Sequence, residues 1–496
     1  MEDDLRFTRS IAAAAALGNS ALDGHWFMNK HVLLTGEPDV LETYNGRECL
    51  LSSLLLTIRI CKNATLFLPG NSFELLANCK SILDHVALNT SVEFAEIQPD
   101  FHDYDAILSV GVKARPDLPW TVIKSDGWVV HVSSGPTNLC PGSSQSNPIG
   151  ALAAASLGVS EVFKRLLKVK ESRAKPFDGL SFSLYSYRCG DTDVGPPLPE
   201  RLPLGVLLVG VGAIGNGVIH LLDLLPIDGF VWIVDVQTFQ PENLGTCLLI
   251  GLPELGKEKA AFAEALLRKK VDARGFSEDL VSFADRLGKK IPYPAITVNA
   301  LDNIPARHAV QNLWPDMIID GAIGDFACQV SRHPWGEDVA CLRCLFYEPT
   351  ESADLIASRT SGLSRERTQQ PFERVTDEDV QVAVDGRKEW LRARIGRQIC
   401  SVVQEAVAEQ ISQEHQAERF QPSVPFVACL SASMIISELV KHLCGWPTPL
   451  APRFQLDVLR GPKFGEEFPE KRRRDCICVT RKRNIDIFRR TRGHSF

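Results

Sequence analysis

A glycine-rich turn between two apolar runs constrains the fold of this chain more than any other feature. The first run leads into Gly210-Val-Gly212-Ala-Ile-Gly215, and the second ends in Asp235, 20 residues after the last glycine. In such a turn the first glycine permits a tight bend, the second lets backbone N–H groups approach a phosphate, and the third lets a helix pack close to the strand. The helix N-terminus favours anions, and an acid at this spacing can bind a ribose. The pattern therefore predicts a nucleotide-binding βαβ unit.

Length and composition favour a globular protein of more than one domain. The chain has 496 residues, 45% hydrophobic and 23% charged, with a formal net charge of −7. It is long enough for at least two sizeable cores, and its negative charge gives no reason to expect a nucleic-acid partner. The 14 cysteines lack the spacing of a disulfide scaffold, which predicts a reducing cytoplasmic location. Neither a membrane-spanning helix nor a signal peptide is predicted.

The order of apolar and amphipathic segments predicts an α/β fold with two Rossmann-like, doubly wound domains in one chain. The first covers residues 1–170. Only Gly36 follows its first strand, and the second strand ends in Pro69-Gly70 without an acid, so this domain is predicted to lack a nucleotide site. A proline-rich linker is expected at 171–203. The second domain follows from residue 204, and no residue-level repeat between the two is evident.

The second half is predicted in more detail because its periodicity is stronger. Strands are expected at 205–210, 230–235, 280–284, 296–300 and 317–321, and helices at 213–225, 256–270, 304–314 and 428–443. Domain boundaries follow from this pattern and from the polar stretch that begins near residue 350. They give a second α/β domain at 204–349, an inserted region at 350–420 and a C-terminal return to the sheet at 421–496.

Five motifs follow the ribose acid in a fixed order. They are Pro241-Glu-Asn243-Leu, Leu255-Gly-Lys257-Glu-Lys259-Ala, Asn299-Ala-Leu-Asp302-Asn303, Asp320-Gly-Ala-Ile-Gly324 and Cys341-Leu-Arg-Cys344. Open α/β sheets bind ligands at the carboxyl ends of their strands. There a lysine can offset phosphate charge, and an aspartate can hold Mg²⁺. Together these groups suit adenylation of a carboxylate by ATP. A dehydrogenase-type domain is the alternative, and the ordered motifs disfavour it.

This series resembles the ThiF/MoeB and ubiquitin-activating enzyme superfamily over residues 204–345. The resemblance implies that the domain at 204–349 is an adenylation domain and that the region at 350–420 is a crossover region with the catalytic cysteine. The resemblance implies an ATP and Mg²⁺ site, with Asp302 at the metal and Lys259, rather than Lys257, at the phosphates. The implied nucleotide-binding residues are Gly210, Gly212, Gly215, Asp235, Asn243, Lys259 and Asp302. One departure is that the arginine and glutamine after the family's Asn-Leu are Thr246-Cys247 here.

The N-terminus offers a replacement for the missing arginine. The sequence Leu5-Arg6-Phe-Thr-Arg9 is similar to a helix start in this family, where an arginine reaches into the ATP site of the partner half. The resemblance implies this catalytic role for Arg9, in cis or in trans. The alternative is a solvated arginine on a helix.

Two close cysteine pairs suggest a metal site. Cys341-x-x-Cys344 has half of the spacing of a zinc site, and Cys476-Ile-Cys478 is the candidate for the other half. The family commonly places its second pair late in the chain, which implies a structural Zn²⁺ that fixes the tail to the adenylation domain. Two unrelated reduced pairs are the alternative.

A conjugating activator also needs a nucleophilic thiol. Cys400 follows the polar stretch, is predicted to begin a helix and has Arg397 nearby, and thiolates are favoured in such positions. Cys429 is the rival, but its apolar surroundings indicate a packing thiol. Cys140 lies in a predicted turn of the inactive half.

The function predicted from these features is ATP-dependent activation of a ubiquitin-like protein. The chain would adenylate that protein's C-terminal carboxylate, form a thioester at a cysteine and pass the acyl group to a ubiquitin-conjugating-type enzyme. Two fused halves resemble the conjugating branch and the activators of bacterial antiphage operons, and imply a pseudo-dimer within the chain or a homodimer. The alternatives are a ThiF/MoeB-type sulfur-carrier adenylyltransferase without a thioester and a non-catalytic adaptor.

Overall fold

Two mainly parallel β-sheets organise the larger part of the chain in the computed structural model. They lie in one unit made of residues 1–346 and 422–496, and residues 347–421 form a second unit. The described residues are 7, 10–11, 13–14, 17, 29–70, 72–86, 88, 90–142, 145–287, 293–301, 303–347, 353–370, 372–383, 385–403, 405–406, 424–448 and 451–494.

The first sheet has seven strands in the order β3-β2-β1-β4-β5-β6-β7. Its first five strands pair in parallel, and β6 and β7 add antiparallel pairs at one edge. The strands are β1 His31–Gly36, β2 Asn63–Phe67, β3 Ser91–Ala95, β4 Ala106–Val110, β5 Trp120–Asp126, β6 Val129–Ser133 and β7 Leu180–Ser183. Because β7 lies within the predicted linker 171–203, part of that segment belongs to the first sheet.

The second sheet has eight strands in the order β10-β9-β8-β11-β12-β13-β14-β15. The pairs from β10 to β12 are parallel, and those from β12 to β15 are antiparallel. The strands are β8 Leu202–Val209, β9 Ile227–Val234, β10 Asp272–Phe276, β11 Ile296–Asn299, β12 Met317–Gly324, β13 Ala327–Pro334, β14 Arg453–Asp457 and β15 Glu466–Phe468. Two sheets of this topology confirm the predicted fold class.

Helices connect the strands of both sheets. The α-helices are α1 Pro38–Leu41, α2 Tyr44–Thr57, α3 Phe73–Val86, α4 Pro148–Leu166, α5 Ala213–Leu224, α6 Lys259–Leu267, α7 Leu280–Leu287, α8 Ile304–Gln311, α9 Leu342–Leu345, α10 Ala353–Ser361, α11 Arg365–Thr368, α12 Asp377–Val382, α13 Asp385–Arg392, α14 Pro425–Leu443, α15 Ile477–Thr480 and α16 Lys482–Thr491. Short 3₁₀ turns occupy Phe101–Asp103, Pro241–Gly245, Leu252–Glu254 and Pro462–Phe464.

The predicted strand at 280–284 is wrong, because this segment is helix α7. The Asp279 carboxylate accepts hydrogen bonds from the N–H groups of Val281 and Ser282, both at 3.0 Å, and so caps the start of a helix. The missing strand is β10, which pairs in parallel with β9 at the edge of the sheet. Its charged residues and glycine hide the strand pattern in the sequence.

Helices α4 and α14 reveal a residue-level repeat that is not evident from the sequence alone. Each has 19 residues and begins with proline, and each packs against the other. Aligned from their first residues, they share eight identities: Pro148/Pro425, Ala151/Ala428, Ala155/Ala432, Ser156/Ser433, Ser160/Ser437, Glu161/Glu438, Lys164/Lys441 and Leu166/Leu443. The two halves therefore match in topology and in the sequence of their central helices.

Both central helices carry a buried ion pair at the same place. Lys164 contacts Glu161, and Lys441 contacts Glu438 at 2.7 Å, with both lysines 6% exposed or less. Burying a charge is costly unless it is paired and hydrogen-bonded. Lys164 satisfies this requirement by donating from Nζ to the carbonyls of Lys175 and Leu459, both at 3.0 Å, the second of which belongs to the second half.

The hydrophobic core is continuous across the two halves. Phe163 on α4 lies with its ring centroid 5.3 Å from that of Phe426 on α14, and both side chains are fully buried. Among the described residues α14 is the one helix with the length and hydropathy of a membrane span. It is 89% buried over the relevant window, and core helices of this kind pass the same test.

Buried His131 on β6 predicts acid sensitivity of the first half. Burial, together with the nearby charge of Lys124, lowers the pKa of His131 from 6.5 to about 4, and Asp126 lies 3.9 Å from its Nε2. The unfolded chain takes up a proton between pH 6.5 and 4 and the folded chain does not, so stability falls as pH falls through this window, by about 1.4 kcal/mol per unit. When the pH is lowered from 6.5 to 5, we expect the free energy of unfolding of His131→Gln to fall by about 2 kcal/mol less than that of wild type. Urea unfolding at the two pH values measures this difference. Exposed His102 provides the control, since His102→Gln keeps the wild-type slope; equal slopes for all three proteins would contradict the assignment.

The described residues of the second unit include helices α10 to α13 and a helical segment at 399–403 that carries Cys400. Its core includes Leu363, Val375, Leu391 and Ile399, none more than 1% exposed. A β-bridge between Arg374 and Gln398 joins the chain before α12 to the start of the last helical segment.

Candidate nucleotide site, cysteine cluster and reactive thiol

The glycine turn lies at the carboxyl end of β8. Gly210 has φ +93°, which other residues rarely adopt. A Cβ on Gly215 would lie 2.1 Å from the carbonyl oxygen of Gly210, so only glycine lets α5 pack this close to the turn. A Cβ on Gly212 would meet nothing within 4 Å. The N-terminus of α5 therefore opens onto space beyond the strand end, where a helix N-terminus suits phosphate.

Asp235 ties the end of β9 to the glycine turn. Its carboxylate accepts from Val211 N–H at 2.7 Å and from Gln237 N–H at 2.8 Å, and the side chain is 9% exposed. Gln237 in turn accepts at Oε1 from Nζ of Lys259 at 2.8 Å. Gln237 therefore joins the predicted ribose acid to the predicted phosphate lysine. It belongs to none of the sequence motifs, so only these hydrogen bonds identify it.

The two competing lysines differ in their surroundings. Lys259 is the first residue of α6 and is 4% exposed, and its Nζ lies 5.9 Å from the ring centroid of Phe239. The side chain of Lys257 is 58% exposed and contacts Glu254 at 3.4 Å. Only Lys259 is therefore held in a fixed position beside the strand ends.

Asn243 organises the segment that follows β9. Its Oδ1 accepts from Gln240 N–H at 2.8 Å, and its carbonyl accepts from Cys247 N–H at 2.8 Å. Thr246 and Cys247, which stand where the family has arginine and glutamine, are 5% and 0% exposed. Neither offers a cation to a phosphate.

A buried polar cluster lies under the ends of β11 and β12. Asp320 is fully buried, and its Oδ1 accepts from Nδ2 of Asn299 at 2.5 Å and from Nε of Arg307 at 3.3 Å. Burial raises the pKa of Asp320 to about 6, against the opposing effect of Arg307. Asp302, the predicted Mg²⁺ residue, and Arg9, the predicted reaching arginine, lie outside the described residues.

Strand register identifies the equivalent positions in the first half. The sequence Val-Leu-Leu-x-Gly occurs at 32–36 and at 206–210. Strand β1 pairs with β2 and β4 in the first sheet, and β8 pairs with β9 and β11 in the second, so the two sets of registers can be aligned. On this alignment the positions of Gly212, Gly215 and Asp235 are occupied by Pro38, Leu41 and Leu68. Pro38 and Leu41 carry side chains where the second half has glycines, and Leu68 stands where the second half has a carboxylate.

An acidic side chain, that of Glu37, lies at the carboxyl ends of the strands in the first half. Glu37 follows β1, and its carboxylate accepts from the N–H groups of Val112 and Lys113 at 3.0 and 2.8 Å. The Glu37 carboxylate thus places a negative charge at these strand ends, which disfavours an anion there.

The four cysteines predicted to bind a metal lie together. The Sγ atoms of Cys341, Cys344, Cys476 and Cys478 all lie within 4.8 Å of one another. The Sγ atom of Cys341 lies 3.7 Å from those of Cys344 and Cys476, and the Sγ atoms of Cys344 and Cys478 are 3.5 Å apart. Four thiolates around zinc at a Zn–S distance of about 2.3 Å would stand about 3.8 Å apart, so the donor set fits a closed tetrahedral zinc site.

The thiols of the cluster are hydrogen-bonded to one another. These bonds raise the pKa of Cys341 and, with a further one from Arg473 N–H at 3.3 Å, lower the pKa of Cys344 well below its usual value. Trp314, Trp335 and Ile485 pack around the four sulfurs. Such a shell excludes water and suits a structural rather than a catalytic metal.

Cys400 lies in the first turn of a helix at 399–403 in the second unit. It is half-buried, and its Sγ is 4.0 Å from Oε1 of Gln398. Arg397 binds Ser401 Oγ at 3.1 Å and Glu405 at 2.8 Å, which fixes a guanidinium on the same helical turn. An accessible thiol at a helix N-terminus beside arginine has the surroundings of a reactive cysteine.

The rival thiols are placed differently. Cys429 on α14 is fully buried, and burial raises its pKa to about 12, so it is a packing residue. Cys140 is exposed, but it lies in the first half. Of these three candidates, Cys400 is the partly accessible thiol in the inserted unit.

Together these features define a nucleotide-binding α/β domain with a cysteine cluster. The family model of the ThiF family matches residues 202–478, more than half of the sequence, and the chain belongs to this family. The uncharacterized protein y4jF of Sinorhizobium fredii is 28% identical over 406 residues, covering 77% of this chain and 76% of that protein.

Other relatives match over shorter regions. The NEDD8-activating enzyme E1 catalytic subunit of Caenorhabditis elegans is 26% identical over 121 residues, which are 24% of this chain and 27% of that enzyme. The crystal structure of Escherichia coli MccB matches with a TM-score of 0.35 and 13% identity, over 55% of this chain and 64% of that chain. Family membership supports ATP-dependent adenylation as the class of reaction.

Proposed function

We propose that this protein activates a ubiquitin-like protein. It adenylates the C-terminal carboxylate with ATP, captures the acyl group as a thioester on Cys400 and passes it to a conjugating-type enzyme. The observation that carries the adenylation step is the arrangement of the glycine turn, Asp235 and Lys259 around the N-terminus of α5. The NEDD8-activating enzyme, by its name, activates a protein of this class.

In the first step a carboxylate oxygen of the substrate attacks the α-phosphorus of ATP. The bond from that phosphorus to the bridging oxygen breaks, and pyrophosphate leaves. The N–H groups at the start of α5 bind phosphate oxygens, Asp235 accepts from the ribose hydroxyls, and Lys259 offsets the charge that develops on the phosphates. Mg²⁺, which we assign to Asp302, would neutralise further phosphate charge when bound.

In the second step the thiolate of Cys400 attacks the carbonyl carbon of the acyl adenylate. A C–S bond forms, the C–O bond to AMP breaks, and AMP carries away the electron pair. Arg397, held by Ser401 and Glu405, lies three residues before this thiol. Transfer to a thiol of the conjugating enzyme then exchanges one thioester for another.

The alternatives make different use of the same fold. A sulfur-carrier adenylyltransferase needs no accessible thiol, and the position of Cys400 in a separate inserted unit favours the conjugating activator. A non-catalytic adaptor needs no nucleotide site, and the first half shows how such a site is lost. The contrast between Leu68 and Asp235 at equivalent positions favours catalysis in the second half. We assign the protein to the cytoplasm, with Zn²⁺ at the four cysteines in a structural role.

The two lysines near the phosphates provide a matched test. Lys259→Met removes a buried cation held at the strand ends, and we expect ATP–pyrophosphate exchange to fall by about 10²–10³-fold. Lys257→Met removes an exposed cation two residues away and leaves exchange near the wild-type rate. Equal losses in the two variants, or no loss in Lys259→Met, would refute the assignment of Lys259 to the phosphates.

A further inference from the structure

One arginine of the first half binds the nucleotide domain of the second. Arg59 follows helix α2 and is fully buried. It donates from Nε to the carbonyl of Cys247 and from NH2 to the carbonyl of Ile250, both at 2.8 Å, and from NH1 to the carbonyl of Leu55 at 2.7 Å. The first two bonds cross between the halves, and the third anchors the guanidinium to its own helix.

Helix α5, which follows the glycine turn, also binds the loop at 247–250. Asn216, the residue after Gly215, accepts at Oδ1 from Leu249 N–H at 2.8 Å. Arg59 therefore lies at one end of a chain of contacts that passes through this loop to the N-terminal turn of α5. Such buried hydrogen bonds fix a backbone because leaving either group unpaired is costly.

A second contact brings the first half against the same loop. A Cβ on Gly251 would lie 1.8 Å from the carbonyl oxygen of Val86, the last residue of α3. The loop thus packs directly on the first half over several residues, and its path depends on that surface. This is the segment between Asn243 and Lys259, where the family's phosphate-binding arginine is replaced by Thr246.

We propose that Arg59 is a positioning residue for the nucleotide site in the second half. It sets the path of the loop at 247–250 and, through Asn216, the start of α5, without touching ATP itself. This inference rests on ATP binding by the second half. It assigns the first half an indirect part in nucleotide binding by the second.

Lys164 supplies a matched control. Like Arg59 it is a buried cation of the first half that donates to a carbonyl of the second, that of Leu459 at 3.0 Å. Leu459 lies after β14, in a different segment from the loop at 247–250. A variant at Lys164 therefore weakens the contact between the halves without removing a bond to this loop.

The test measures binding of Mg²⁺-ATP to the full chain by calorimetry, with thermal unfolding recorded for each variant. We expect Arg59→Met to weaken ATP binding at least about tenfold, and Lys164→Met to lower the melting temperature with the ATP affinity of wild type. Arg59→Lys keeps the charge but cannot bond two carbonyls in a fork, so we expect an intermediate affinity. If Arg59→Met does not fold, the ATP affinity of Arg59→Lys tests the positioning role on its own.

The outcomes separate this inference from the proposed function. If wild type does not bind ATP, the proposed function fails, and this inference fails with it. If wild type binds ATP and both Arg59 variants bind it as tightly as Lys164→Met, the positioning role is refuted. A loss of affinity confined to the Arg59 variants supports it, because a general loss of stability would lower affinity in the Lys164 variant too.

Discussion

Replacing Cys400 with alanine is expected to abolish the thiol-sensitive adduct between this protein and its ubiquitin-like substrate while leaving ATP–pyrophosphate exchange intact. The adenylation step uses groups of the second sheet, whereas Cys400 belongs to the separate unit 347–421. Removing the sulfur therefore removes the nucleophile of the second step only. The adduct is measured on non-reducing gels, with loss on addition of a reducing thiol.

Two other cysteines make this prediction specific. Cys140→Ala removes an exposed thiol of the first half and is expected to leave the adduct at wild-type level. Cys429 is fully buried, so no adduct should form there when Cys400 is absent. An adduct that persists in Cys400→Ala would show that another thiol is the nucleophile, and exchange without any adduct in wild type would favour the sulfur-carrier alternative.

Loss of the metal from the cysteine cluster is expected to have the largest effect on stability. Zinc binding to cysteine-rich sites contributes about 10–16 kcal/mol to the folding of small zinc domains at pH 7. Here Cys341 immediately precedes α9 and Cys344 lies within it, whereas Cys476 and Cys478 lie in the C-terminal segment. We expect mass spectrometry of the metal to find about one zinc ion per chain in wild type. The variant Cys344→Ser is expected to lose this zinc, and its C-terminal segment is expected to become sensitive to protease.

The control separates metal binding from general damage to a cysteine. Cys140→Ser is expected to keep its zinc and the protease resistance of the segment 471–494. Chelation of wild type should reproduce the effect of Cys344→Ser, since both leave the tail without its link to the second sheet. A wild-type protein that contains no zinc and is unaffected by chelators would contradict the structural zinc site.

The positions of the candidate nucleotide-site residues in the fold were predictable because their signals are local. The three glycines, Asp235 and Lys259 each follow or begin a regular element, and the carboxyl ends of parallel strands meet at one edge. The pairing of the two cysteine motifs was also within reach, since their spacing limits the choice of ligands. Gln237, in contrast, gives no pattern of its own and becomes visible only through its bonds to Asp235 and Lys259.

Features that depend on distant contacts could not be predicted. Arg59 and Cys247 are 188 residues apart in sequence, and no periodicity links an arginine to a carbonyl in another domain. The repeat between α4 and α14 is hidden because the second unit lengthens the chain before α14. The edge strand β10 was missed because tertiary pairing with β9 overrides its weak local preference.

Adenylation of the C-terminal carboxylate of a ubiquitin-like protein by the second half is tested by ATP–pyrophosphate exchange. The full chain is given such a protein with a free or an amidated C-terminus. We expect exchange with the free carboxylate and none with the amide, because the amide has no carboxylate oxygen to attack the α-phosphorus. Exchange that is indifferent to amidation, or a protein that does not bind ATP at all, would contradict the proposed adenylation.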